Sequence, residues 1–151
     1  MKNDHQPSHH GRILGVDPGD QRTGIAISDP TQTIASPIGV IHQQSRKKIA
    51  EEIVRMTKKH SVEKIIIGQA ANWDGSISHQ GEKAARMADI LESLSSIPIL
   101  LWNEYGSTQQ AEDALRQMNV SRKKRNQPVD DLAAVVILQS YLDAAAGERP
   151  E

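Results

Sequence analysis

Two short apolar runs, Ile13-Leu14-Gly15-Val16 and Gly24-Ile25-Ala26-Ile27-Ser28, flank Asp17 and the polar turn Pro18-Gly19-Asp20-Gln21-Arg22. This pair constrains the fold more tightly than any other stretch of the chain. Short runs rich in aliphatic residues and bounded by Pro, Gly and Asp read as strands, and a five-residue link joins such strands as an antiparallel hairpin. The spacing predicts strands over residues 12–17 and 23–29, with the Asp17 carboxylate at the mouth of the hairpin and small residues around it. That leaves room for a metal ion or a phosphate. A third strand is expected over residues 33–41, where Pro37 implies an edge position or a bulge.

The pattern then changes from alternation to helical spacing. Ser45 can cap a helix whose apolar face is Ile49, Ile53 and Met56. Lys64-Ile65-Ile66-Ile67-Gly68 reads as a short buried strand, followed by a polar loop with Asn72, Asp74 and Gly75. A helix over residues 81–94, with Ala85, Ala88 and Leu91 inward, precedes a strand over residues 97–102. Ser107-Thr108-Gln109-Gln110 opens a further helix with Ala111, Leu115 and Met118 on one face, and a last helix runs from about 129 to 145. The order is β-β-β-α-β-α-β-α-α. Three strands on short links pair antiparallel, and the later strands, alternating with helices, form parallel crossovers. The expectation is an α/β single domain: a mixed five-stranded sheet, first three strands antiparallel, with helices on both faces.

The chain has 151 residues and no Phe, so its core has to be aliphatic, and the length suits one domain. Residues 1–10 are polar and aperiodic and are expected to form a disordered tail, with the ordered domain over 11–146 and a fraying end over 147–151. No run approaches the roughly 20 apolar residues of a membrane span. The N-terminus lacks the apolar segment of a signal peptide. With no cysteine there is neither a disulfide nor a thiolate zinc site, which fits a reducing compartment such as the cytoplasm. The formal charge is −1, so nucleic acid is not announced by global charge; the basic runs Arg46-Lys47-Lys48, Lys58-Lys59 and Arg122-Lys123-Lys124-Arg125 are local, and solvated surface is the plainer reading of each.

Three acids stand at element ends. Asp17 ends the first strand, Glu104 follows the last strand, and Asp130 opens the last helix, with Ala133, Ala134 and Ile137 after it. In a mixed sheet of this kind the strands before Asp17 and Glu104 can be neighbours and parallel, which puts both acids at one edge. A helix packed by its Ala-rich face can aim Asp130 at the same edge. Three converging carboxylates make a hard-cation site, and two Mg²⁺ ions about 4 Å apart would activate water and stabilise a leaving oxygen on a phosphodiester. The ions would also neutralise the mutual repulsion of the acids. Each acid has a plainer role: Asp17 in turn chemistry, Asp130 or Asp131 as a helix cap, Glu104 as a solvated loop acid. Composition does not decide among these.

Four fragments, in order, resemble the YqgF/RuvX family of ribonuclease H-like proteins, described as candidate Holliday-junction resolvases and pre-16S rRNA nucleases. They are Ile13 through Gly19 with Arg22 to Asp29; Gly68 to Ser76 with Asn72, Asp74 and Gly75; Glu104 with Ser107-Thr108 and Ala111-Glu112; and Val129-Asp130-Asp131-Leu132-Ala133-Ala134 through Asp143. The resemblance spans residues 12–143 and implies a ribonuclease H-like domain with catalytic, metal-binding acids at Asp17, Glu104 and Asp130, the last in preference to Asp131. It implies a Mg²⁺- or Mn²⁺-dependent endonuclease with two ions, bacterial and cytoplasmic, acting on structured nucleic acid at the 5′ end of pre-16S rRNA. Branched DNA is the alternative substrate. A four-way junction calls for two active sites and hence a homodimer, whereas a monomer speaks against it. Arg22, Asn72, Lys123, Lys124 and Arg125 are the candidate nucleic-acid contacts.

The chain departs from the family where Asn103 and Tyr105 replace an acid and a base flanking the Glu, and where Gln69-Ala70-Ala71 lacks a Pro. These departures point to altered substrate contacts and keep open a non-catalytic nucleic-acid or ribosome-assembly binding protein. The hairpin also looks like that of the sugar-kinase and Hsp70 ATPases, but two lobes around a nucleotide need a longer chain.

Overall fold

The computed structural model describes residues 11–19, 21–69, 79–103 and 132–147. Five strands, β1 (Arg12–Pro18), β2 (Thr23–Ser28), β3 (Ala35–Ile41), β4 (Val62–Gln69) and β5 (Ile99–Asn103), form one sheet in the order β3-β2-β1-β4-β5. Helix α1 (Arg46–Lys59) follows β3, α2 (His79–Leu94) links β4 to β5, and α3 (Leu132–Gly147) closes the described chain. The first three strands pair antiparallel, while β4 runs parallel to both β1 and β5. The helix expected over 107–118 lies outside the described residues.

The hairpin forms as its composition requires. Pro18 pairs with Thr23, so four residues rather than five make the connection. A Cβ added at Gly19 would lie 2.3 Å from the Arg22 carbonyl oxygen, so the turn accepts only glycine there. β3 is an edge strand, and its register against β2 slips where Ile25 pairs with Gly39 and Ala26 with Pro37. Pro37 thus satisfies both conditions under which a sheet tolerates it.

Alternation divides the core into two layers. Leu14, Val16, Ile65 and Ile67 face α1 and α2, packing on Ile49, Ile53, Met87 and Leu91. Ile13, Ala26 and Ile66 face α3 and its Ala134, Ile137 and Leu138. The side chain of Ser45 accepts from the Lys48 N–H at 3.3 Å, capping α1 as its position predicts. Ile49 and Ile53 of α1 and Ala88 and Leu91 of α2 are buried as their spacing predicts, and Met56 packs half-buried against the same core. Thr57 and Ala84 are fully buried beside them, while Ala85 is only half-buried.

The strand before Glu104 is parallel to β1 but is not its neighbour. β4 lies between them, and its three isoleucines, buried on both faces, suit that interior place.

Candidate active site at the carboxyl edge of the sheet

Asp17 is the next-to-last residue of β1 and is half-buried. By alternation it stands on the same face as Ile13 and Gly15, the face that α3 covers. Its partner across the hairpin is Gly24. On the other side the register, Val16 against Ile67, runs on to Gly68. The carboxylate is thus flanked on both adjacent strands by residues without side chains. At these two flanking positions only backbone stands beside the carboxylate.

Helix α3 is seated over this part of β1 by Gly15. A Cβ there would come 2.7 Å from Leu138 Cβ and 3.2 Å from the Ala134 carbonyl oxygen, so helix and strand touch backbone to backbone. The start of α3 lies toward the carboxyl end of β1 and its later turns toward the opposite end, where Gln139 accepts from the Ala35 N–H at 2.9 Å and donates to the Thr33 carbonyl at 2.9 Å. The helix is tied to the far side of the sheet as well. Trp102 Nε1 donates to Ser140 Oγ at 3.0 Å and its ring meets Tyr141 edge-on, at 5.4 Å between centroids. Lys64 Nζ donates to the Tyr141 hydroxyl at 2.8 Å. The carboxyl ends of β1 and β5 and the first turn of α3 therefore share one edge and one face.

Of the residues singled out for chemistry, Asp17 and Arg22 are described; Arg22 is exposed on the hairpin connection. Glu104, Asp130, Asp131, Asn72, Lys123, Lys124 and Arg125 lie outside the described residues. Among the described residues no three His, Asp or Glu side chains gather as a metal site. In sequence, Glu104 follows the last residue of β5 and Asp130 precedes the start of α3 by two positions.

Sequence reasoning missed a cleft of about 260 Å³ on the opposite face of the same hairpin. Pro18 and Thr23 form its hairpin wall, Gln44 and Arg46 its α1 wall, and Lys83 and Met87 its α2 wall. Lys83 is only 8% exposed. The available signal was the first turn of α1, which carries Arg46, Lys47 and Lys48 and no acid. Cations there oppose the helix dipole, an arrangement a solvated face gives no reason for.

The model of a family described as RuvX, Holliday junction resolvase, matches residues 11–144. A protein of Caldanaerobacter subterraneus subsp. tengcongensis, named as a candidate pre-16S rRNA nuclease, is 43% identical over 134 residues, 88% of this chain and 96% of its own. One of Clostridium novyi with the same name is 40% identical over 133 residues, 88% of this chain and 98% of its own. Among solved structures, T. thermophilus RuvC in complex with Holliday junction substrate superposes with a TM-score of 0.62 at 14% identity, covering 91% of this chain and 97% of that one. The fowlpox virus resolvase with Holliday junction DNA gives 0.55 at 15% identity, covering 89% and 98%. At such identities these structures establish the fold, which is RuvC-like and ribonuclease H-like, as the family resemblance implied.

Proposed function

Because the chain belongs to the RuvX family, we propose that it is a nuclease, a phosphodiester hydrolase whose working edge is the one that carries Asp17, and that it cleaves structured RNA at the 5′ end of pre-16S rRNA in the bacterial cytoplasm. The observation that carries the site is the seat of α3 on Gly15. Ala134 lies over Gly15, two strand residues before Asp17, so the start of α3 stands toward the end of β1 that carries Asp17. Asp17, and with it Glu104 and Asp130, the other two acids that the family resemblance picks out, are the proposed catalytic and metal-holding acids. The interposed β4 sets β1 and β5 about 10 Å apart.

The glycine-flanked floor and an all-oxygen donor set fit a hard divalent cation, Mg²⁺ or Mn²⁺. Asp17, Glu104 and Asp130 would hold such ions, which would supply Lewis acidity to the phosphodiester and lower the pKa of water. The chain's own part is to hold that charge at the sheet edge, to keep the floor clear of side chains through Gly24 and Gly68, and to lead the strand in along Arg22, Asn72 and Lys123 to Arg125. A second substrate reading, branched DNA cut by a homodimer, is favoured by the description of the family model.

The test offers purified protein matched pre-rRNA and four-way DNA substrates with Mg²⁺, Mn²⁺ or excess EDTA, in wild-type and Asp17→Asn forms. Metal-dependent cleavage of the pre-rRNA that Asp17→Asn abolishes is the expected result. Preference for the junction, with a dimer in solution, would move the assignment to DNA. Equal activity in the two forms would falsify the metal-site assignment, and no cleavage by either would leave the binding-protein reading, to which Asn103 and Tyr105 beside Glu104 already lean.

A further inference from the structure

Asp17 and Trp102 stand in one row across the sheet. The register that sets Val16 against Ile67 runs on from Asp17 to Gly68, and Gly68 pairs with Trp102. With neighbouring strands about 4.8 Å apart, the two residues are separated by about 10 Å and one glycine. Both belong to the face that α3 covers, Asp17 by alternation and Trp102 by its packing against the core there. The next side chain along the row from Asp17 is therefore the indole of Trp102.

That indole does more than fill space. Among the described strands β5 is at the edge of the sheet, held by backbone pairing on one side only, to β4. Its carboxyl end is fastened to α3 through Trp102. Nε1 donates to Ser140 Oγ at 3.0 Å, and the ring meets Tyr141 edge-on. Ser140 is 1% exposed. Tyr141 is held in turn by Lys64 of β4, whose Nζ lies 2.8 Å from the hydroxyl and 5.3 Å from the ring centroid. An aliphatic side chain at position 102 would bury apolar area as well, but a ring that must also reach a buried hydroxyl admits one orientation. The same helix is seated on β1 at Gly15, two residues before Asp17. One helix thus pins both the strand of Asp17 and the carboxyl end of β5.

We propose that Trp102 is a positioning residue for cleavage: its bond to Ser140 fixes the carboxyl end of β5 relative to Asp17. The inference rests on the nuclease reading, and within it on Glu104, two positions after Trp102 in the sequence, as a metal-holding acid. The indole touches neither metal nor substrate in this role; it acts through β5. Without the bond the edge strand keeps its pairing with β4 but loses its polar hold on α3. A set of carboxylates held too loosely binds a divalent cation less tightly.

The experiment reads Mn²⁺ binding directly, from the EPR signal of the free ion, beside cleavage of pre-rRNA by the same proteins. Trp102→Phe keeps a ring next to Tyr141 and removes the Nε1 donor; Ser140→Ala removes the acceptor. Each should weaken Mn²⁺ binding about 3- to 10-fold. The double variant should be no weaker than either single one, because both remove the same bond. The Mn²⁺ concentration for half-maximal cleavage should rise by the same factor, with KM for the RNA unchanged, and excess Mn²⁺ should restore the rate. Gln32→Ala, which removes bonds to the Gly11 carbonyl and Glu63 at the other edge of the sheet, controls for lost stability alone and should leave Mn²⁺ binding at the wild-type level. Should Trp102→Phe fail to fold, Ser140→Ala decides alone. Mn²⁺ binding that Asp17→Asn abolishes and neither Trp102→Phe nor Ser140→Ala weakens overturns the positioning role and leaves the nuclease reading standing. Additive losses in the double variant, or an equal loss in Gln32→Ala, overturn it as well. Mn²⁺ binding and cleavage indifferent to Asp17→Asn sink the nuclease reading, and the role of Trp102 with it.

Discussion

At the edge where β2 ends, acidic side chains are bound into the backbone. Asp29 accepts from the N–H groups of Thr33 at 2.8 Å and Ile34 at 2.9 Å, and from the Thr31 hydroxyl. Glu63 accepts from the Gly11 N–H at 3.0 Å and from Gln32 Nε2 at 2.9 Å, while Gln32 also donates to the Gly11 carbonyl. Gln32 is buried with φ near 59°, a strained turn held by these bonds. At the opposite edge Asp17 stands between Gly24 and the level of Gly68, on a floor cleared of side chains. The same residue type closes a loop at one end of the sheet and ends a strand between glycine positions at the other. The difference lies in the neighbours: Thr-rich turn residues supply donors to Asp29, whereas the strand positions flanking Asp17 carry no side chains.

That contrast can be broken most severely at Asp17. Asp17→Asn is expected to reduce cleavage at least about 100-fold by weakening metal binding, while thermal unfolding stays near that of the wild type. A matching loss of folding stability would show that Asp17 belongs to the structural class of Asp29.

Gly15→Ala tests the coupling of the edge to α3. Its Cβ would lie 2.7 Å from Leu138 Cβ, so the helix must shift. We expect a loss of about 1–3 kcal/mol in denaturant unfolding, together with reduced cleavage per folded molecule. Retained stability and activity would mean that α3 is not pinned at this point.

Removing the lower-edge network should separate stability from function. Gln32→Ala removes the Gln32 donor from the Gly11 carbonyl and one of the two donors to Glu63, at a cost of about 1 kcal/mol, and should leave cleavage per folded molecule unaltered.

The smallest effect concerns acid. Burial pushes the Asp29 carboxyl up, but hydrogen bonds from Thr31, Ile34 and Thr33 outweigh it and hold the pKa at about 2. A pKa lowered on folding gives stability that is present above the unfolded value, near 4, and is lost as pH falls toward 2. Asp29→Asn should therefore flatten the acid limb of the stability curve slightly between those values. An unaltered limb would show that Asp29 is protonated alike in folded and unfolded chains.

Much of this was legible in the chain itself. Pro18-Gly19 between two aliphatic runs specifies the hairpin, Ser45 the start of α1, and Ile65-Ile66-Ile67 a strand buried on both faces; each is a short-range signal, carried by residues a few positions apart. Asp17 stood out for the same reason, as an acid ending an apolar run. The cleft was not legible, because Arg46 and Lys83 are 37 positions apart and look, taken singly, like solvated charges. The full burial of Ala84 beside the expected Ala88 and Leu91 was equally beyond reach, since the width of the covered face of α2 is set by what the helix packs on.

The sequence by itself determined the elements and the identity of the acid at the hairpin mouth, because alternation, turn chemistry and capping act over a few residues. Only the tertiary structure decided that β4 separates β1 from β5, that α3 lies on Gly15 over the Asp17 face, and that a buried lysine faces the cationic start of α1 behind the same hairpin. Those are choices among packings that bury similar apolar area, and they are settled by contacts between residues far apart in the chain.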